Sequence, residues 1–233
     1  MESLFSQLQL NDYHGDLYRN IVSLRVSEDL FDDLSEDPAV RASGLQLENA
    51  TKPHFFTNDA PVIFRPFQEA EWNEAIQYPF RNSSQSRFSD GTFGIWYGGD
   101  RLETTVHETV HHWQTKLLGD AQGFLQPGVQ IERKVYLVRC DAALIDLRPK
   151  VPAYPALVDP LDYTATHAVG RKMHHEGHPG LINKSARCDG DIYAAFNPRI
   201  LSQPRQQCFL TYITQANGRV RVERAPGELL LEV

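Results

Sequence analysis

Apolar residues recur at three- and four-residue spacing at Leu102, Val106, Val110, Trp113 and Leu117, the period of one helix face. The pattern predicts a helix opened by Asp100, with Glu103 three residues later completing a capping box. Just upstream, Phe93 to Tyr97 is an apolar run that predicts a strand ending at a Gly98-Gly99 break. A second helix is predicted from Asp162 to His175, with Tyr163, Ala165, Val169 and Met173 partly on one side and Gly177 placed to end it. Lys134 to Cys140 is dense in β-formers and predicts a strand that Leu144 to Arg148 can extend. Pro61 to Arg65 reads as another strand and Glu69 to Tyr78 as a short helix. Further on, Gly180 to Phe196 reads as strand, turn, strand with Ser185 and Arg187 at the inner bend. Cys208 to Thr214 and Arg219 to Glu223 form a predicted terminal hairpin around Asn217-Gly218.

Leu17, Ile21 and Leu24, then Leu30, Phe31 and Leu34, are spaced as short amphipathic helical turns, and a polar run follows from Asp37 to Asn58. Residues 1–58 are therefore expected to be a helical N-terminal extension without chemistry, and residues 59–233 the catalytic domain. Short strands alternating with few convincing helices predict an α+β fold with a mixed β-sheet core.

Composition narrows the function. With 41% hydrophobic and 23% charged residues over 233 positions, the chain has the make-up of a globular protein with a sizeable core. A formal net charge of −7 and a pI near 5.7 argue against direct nucleic-acid binding, which needs a basic surface. Cys140, Cys188 and Cys208 are odd in number and lack paired spacing, so neither a disulfide framework nor a cysteine zinc site is indicated. No signal-peptide pattern or long apolar span is present, and a cytoplasmic protein with no membrane contact is expected.

The most conspicuous short motif is His107-Glu108-Thr-Val-His111. Histidines at i and i+4 share a helix face and can bind zinc together, with the glutamate as general base. A third ligand would have to come from the His174-His175-Glu176-Gly-His178 cluster, which lacks a zinc-enzyme spacing. Glu108 lies about 200° round the helix from Val106 at ~100° per residue, so it is off the buried stripe and faces either solvent or a cleft. Ser185 lacks the G-x-S-x-G elbow, and the glycines near 91–99 match neither nucleotide-binding loop.

Taken together, Phe64-Arg65, Arg87-Phe88-Ser-Asp-Gly, Ile95-Trp-Tyr97, Thr105-Val-His-Glu108-Thr-Val-His-His112 and Gly180-Leu-Ile-Asn-Lys-Ser185-Ala-Arg187, followed by Asp191, resemble the RES-domain family over roughly residues 60–200. The family is best known as the toxin half of Xre-RES toxin–antitoxin pairs. The resemblance implies a fold like that of ADP-ribosyltransferase toxins. It also implies NAD as substrate, cleaved without a metal or other cofactor by hydrolysis or by phosphorolysis with phosphate as co-substrate. Residue by residue it places Arg65, Arg87, Tyr97, Glu108 and Ser185 in the catalytic pocket, with Asp191 beside the substrate and His112 on the glutamate's helix. An Xre-type antitoxin protein is the implied partner, and a homo-oligomer is compatible with it. Asp191 stands where many members carry Asn, and Phe64 where Tyr is frequent. Two other readings remain: a zinc hydrolase built on His107, Glu108 and His111, and an inactive NAD-binding module.

Overall fold

The computed structural model describes residues 2–23, 70–117 and 127–233. The predicted strand Pro61 to Arg65, with the candidate site residue Arg65, and the helical turns expected after Leu24 lie outside them. The elements that position the site are, in chain order, helix α1 (Glu2–Phe5), strand β1 (Gln9–Val22), a helical stretch α2 over residues 70–81, strand β2 (Trp96–Gly99) and helix α3 (Leu102–His112). They continue as β3 (Gln130–Asp146), helix α4 (Thr164–His175), β4 (Gly180–Lys184), β5 (Asp191–Ala195), β6 (Leu201–Thr214), β7 (Val220–Ala225) and β8 (Glu228–Glu232). The α+β expectation holds: the described residues form an eight-stranded mixed sheet with few helices.

The long β3 is the spine. Its Val135, Tyr136, Val138 and Cys140 are buried, as its run of branched and aromatic residues requires. One edge pairs antiparallel with β1 from Gln9↔Asp146 to Val22↔Arg133. The other edge pairs antiparallel with β6 and then, at Ile145 and Asp146, parallel with β4. From β4 the pairing runs through β5 and β2 back to β1 at Tyr18↔Gly99, so five strands close a ring and β6, β7 and β8 extend it.

Successive residues of the ring point to opposite faces. Leu17, Trp96, Tyr136, Ile182, Tyr193 and Ala195 pack on one face against Ala75 and Ile76 of α2. Ile145, Leu181, Ile192 and Ala194 pack on the other against Val169 and Met173 of α4. The predicted stripe of α3, Leu102, Val106, Val110 and Trp113, is buried against Leu210, Tyr212, Val220 and Val222. Gly177, at φ +75, ends α4 as predicted, with the His178 N–H reaching the Met173 carbonyl and the Gly177 N–H that of His174.

Three local expectations need correction. Residues 9–22 are a strand, not helical turns. The four-residue spacing of Leu17 and Ile21 is common to both periods, and Arg19, on the strand face between them, breaks the apolar alternation that would have revealed β1. Of the described part of residues 1–58, Gln9–Val22 thus belongs to the sheet rather than to a helical extension, and only Glu2–Phe5 is helical. The Gly98-Gly99 pair does not break β2 but forms its second half, paired with Tyr193 and Ile192. The capping box does not form: the Asp100 N–H donates to the Asp191 carbonyl, holding Asp100 on the path of the sheet. Arg101 then takes the N-cap position without a side-chain cap, and Asp100 Oδ1 accepts the Thr104 hydroxyl at 2.6 Å.

No helix among the described residues is long and apolar enough to cross a membrane. All three cysteines are free thiols.

Candidate active site

Glu108 and Ser185 are 77 positions apart in sequence and meet in the structure. The β4–β5 turn brings Ser185 against the partly exposed face of α3, where its Oγ donates to Glu108 Oε1 at 2.7 Å. The same Oγ accepts the Arg187 backbone N–H at 3.0 Å. With a donor already occupying one lone pair, the hydroxyl hydrogen is aimed at the carboxylate. Among the described residues Oε2 of Glu108 accepts no hydrogen bond, so the carboxylate is fixed by one oxygen and presents the other.

The Arg87 loop is built by its own short polar residues. Ser89 Oγ donates to the Phe93 carbonyl and accepts the Gly91 N–H, while Asp90 Oδ1 accepts both the N–H and the hydroxyl of Thr92, an Asx-type turn. α4 clamps the loop from outside: His167 Nε2 donates to the Ser86 carbonyl at 2.8 Å, and Arg171 reaches Asp90 at 2.7 Å. Tyr97 clamps it from β2, its hydroxyl accepting the Phe88 N–H and sharing a hydrogen bond with Ser86 Oγ, each at 3.0 Å. Burial pushes this phenol up to about 12 despite those two hydrogen bonds.

Arg87 is thereby buried with its guanidinium 4.7 Å from the Tyr163 ring centre and its Nη1 on the Asp159 carbonyl at 2.8 Å. Its Nη2 is buried without a partner among the described residues. Burial lowers the Arg87 pKa, while the nearby Tyr163 and Glu108 favour its charged form.

Glu108, Arg87 and Tyr97 all line one cavity of about 970 Å³, the upper range for small-molecule sites and large enough for a dinucleotide. Ser185 is not part of the lining and acts on the cavity through Glu108. His112 lines it too. So do Arg19, Asn20 and Arg133, three residues that sequence reasoning missed because nothing local distinguishes an arginine that faces a cavity from one in solvent.

Asp191 is placed differently from the other candidates. It pairs with Arg148 at 2.6 Å and Lys184 at 2.8 Å, and Arg148 also holds Asp146, so it closes an ion-pair cluster at the start of β5 rather than lining the cavity. Burial raises its pKa, but the hydrogen bonds from Lys184 and Arg148 outweigh this and leave it lowered. A depressed folded pKa means stability that is present above the unfolded value of about 3.9 and lost as pH falls through the folded one. Asp191→Asn is therefore expected to flatten the acid limb of the urea midpoint measured below about pH 5. An acid limb as steep as that of the wild type would contradict this.

Of the histidine motif, His111 Nε2 lies 2.6 Å from Arg187 Nη2, which also reaches the Pro160 carbonyl and the Tyr163 hydroxyl. As the guanidinium can only donate, that imidazole nitrogen is committed as an acceptor. Among the described residues no group of three or more His, Cys, Asp or Glu side chains is placed to hold a metal ion.

The fold and site define an α+β protein with a carboxylate–serine pair beside a cavity lined by arginines. The RES domain family matches residues 62–215, and the chain belongs to that family. The matched segment contains Arg65, Arg87, Tyr97, Glu108, Ser185 and Asp191 but not β1 with Arg19. No curated protein matches the chain. Among solved structures it is similar to the M. tuberculosis MbcT–MbcA toxin–antitoxin complex, at 12% identity and a TM-score of 0.45 over 88% of this chain and 90% of that one.

Proposed function

We propose that the protein cleaves the nicotinamide–ribose bond of NAD, and that in the cell it is a growth-arresting toxin restrained by an Xre-type antitoxin protein. Membership of the RES-domain family supports the substrate, and one observation carries the chemistry: the Glu108 carboxylate, oriented by Ser185 at 2.7 Å, borders a dinucleotide-sized cavity. The C1′–N bond breaks with its electron pair going to the ring nitrogen, which leaves as neutral nicotinamide. Positive charge develops on the ribose, and a fixed carboxylate stabilises such an oxocarbenium-like state while accepting hydrogen bonds from ribose hydroxyls. Water or phosphate completes the reaction at C1′, and a proton lost from water goes to solvent. Arg87, whose planar fork suits phosphate oxygens, binds the pyrophosphate together with Arg65, and Tyr97 borders the nicotinamide ring.

This chemistry needs no metal, whereas the zinc reading requires His107 and His111 to ligate together with a third ligand. Nicotinamide release from NAD is expected to persist in EDTA, and in His107→Ala, which lies outside the cavity lining. One zinc per chain by elemental analysis, with activity abolished by EDTA, would reverse this. Expression in cells without the antitoxin is expected to lower NAD before growth stops. Unchanged NAD during arrest would remove the toxin mechanism.

A further inference from the structure

The cavity carries more positive charge than the proposed chemistry uses. Arg19, Arg87 and Arg133 line it, and among the described residues none forms an ion pair with a carboxylate. Of the acidic residues in the lining, Glu74 is engaged by Lys134 and by the Tyr136 hydroxyl, which leaves Glu108 in a lining that holds four arginines, Arg81 being the fourth, in a chain of formal net charge −7.

Arg19 and Arg133 belong to a different wall from Arg87. Arg19 to Val22 all line the cavity, so it is the edge of β1 that faces it, and side chains from both faces of the strand meet there. Arg19 is held by Nη1 on the Tyr97 carbonyl at 2.9 Å and by its guanidinium over the Trp96 ring at 5.5 Å, and its Nε is buried without a partner. Arg133 is held by Asn20, whose Oδ1 and backbone carbonyl accept from Nε at 3.0 Å and Nη2 at 2.9 Å. Asn20 is itself fixed through its amide to the Tyr212 hydroxyl at 2.8 Å. Among the described residues, both arginines are thus positioned by neutral partners that leave their charge without a carboxylate partner.

We propose that Arg19 of β1, outside the matched family segment, and Arg133 of the neighbouring β3 form an anion subsite for a phosphate group. Two guanidinium groups lining one cavity suit a phosphate group: inorganic phosphate carries about −1.5 to −2 at neutral pH, and the two phosphates of a dinucleotide together carry about −2. Burial and, after it, the neighbouring Arg133 draw the Arg19 guanidinium down to about 10. A bound anionic phosphate group relieves that repulsion. The phosphate is either free inorganic phosphate or one carried by the dinucleotide. The inference rests on the cavity and its charge and does not require that NAD be turned over.

The test is calorimetric titration of the whole protein with inorganic phosphate in low-chloride buffer. Binding is expected in the wild type and weakened at least about tenfold in Arg19→Gln and in Arg133→Gln. Arg133→Lys keeps a charge and is expected to lose less, with thermal unfolding confirming that each variant is folded. Arg205→Gln, an exposed residue paired with Asp16, is expected to bind as the wild type. Repeating the titration with NAD present in Glu108→Gln identifies the source: displacement marks a phosphate of the dinucleotide, simultaneous binding marks free phosphate, and both support the subsite. Absence of phosphate binding by the wild type, or equal affinity in wild type, Arg19→Gln and Arg133→Gln, would overturn it. Phosphate binding that depends on both arginines in a protein that consumes no NAD would keep the subsite and remove the NAD reaction.

Discussion

Glu108→Gln is expected to lower NAD consumption by about 100- to 1,000-fold, the effect of removing ~2.7–4 kcal/mol of transition-state stabilisation, while leaving the protein as stable as the wild type. Gln is nearly isosteric, and its amide oxygen can still accept the Ser185 hydroxyl, so what is lost is the charge that opposes the developing ribose cation. Glu108 is partly exposed and lies off the buried face formed by Leu102, Val106, Val110 and Trp113, so the unfolding free energy should move by no more than about 0.5 kcal/mol. Ser185→Ala keeps the carboxylate and removes only the group that orients it. Losing one hydrogen bond to a charged group, about 1.5–3 kcal/mol, corresponds to roughly ten- to a hundred-fold in rate. That order, glutamate above serine, separates a charge-stabilising carboxylate from a nucleophilic serine, for which Ser185→Ala would be the more severe change. Parallel rate measurements and urea unfolding curves for the two variants provide the check.

Gly170→Ala is expected to destabilise the fold by about 1–3 kcal/mol or more, although Ala normally favours a helix interior over Gly by about 1 kcal/mol. Gly170 lies mid-way along α4, where an added Cβ would meet the Phe88 carbonyl oxygen at 1.7 Å and the Phe88 carbonyl carbon at 2.7 Å. Those are backbone atoms of the loop that carries Arg87, already tied to α4 through His167 and Arg171 and to β2 through Tyr97. Either α4 retreats from its packing in the core, or the loop shifts and takes Arg87 with it. The substitution should therefore lower stability and NAD consumption together. A variant more stable than the wild type in urea unfolding would show that α4 and the loop are not in this contact.

Much of the fold was legible because it rests on local periodicity and turn chemistry. The α3 stripe, the branched residues of β3, the Gly177 terminator and the Asn217-Gly218 hairpin each need only their neighbours in sequence. β1 was hidden because its recognition depends on what it pairs with: it aligns with β3 over its whole length, but Arg19 interrupts the alternation. The Glu108–Ser185 contact is a product of topology, with β4 and β5 delivering the serine to a helix formed far upstream. Their family resemblance placed both in one pocket, whereas their spacing carried no such information. Asp191 stands in the same row of motifs, and its ion-pair partners Arg148 and Lys184 are recognisable only after folding. The His107-Glu108-x-x-His111 spacing likewise carries no information about tertiary partners: Arg187 arrives from the β4–β5 turn and engages His111 Nε2.

The central claim is tested most directly by following NAD and free nicotinamide together over time, with purified protein in EDTA-containing buffer, with and without inorganic phosphate. The account predicts one nicotinamide released for each NAD consumed by the wild type, and release slower by about 100-fold or more with Glu108→Gln. NAD that stays intact under both conditions, or nicotinamide release at the same rate by Glu108→Gln, would contradict it.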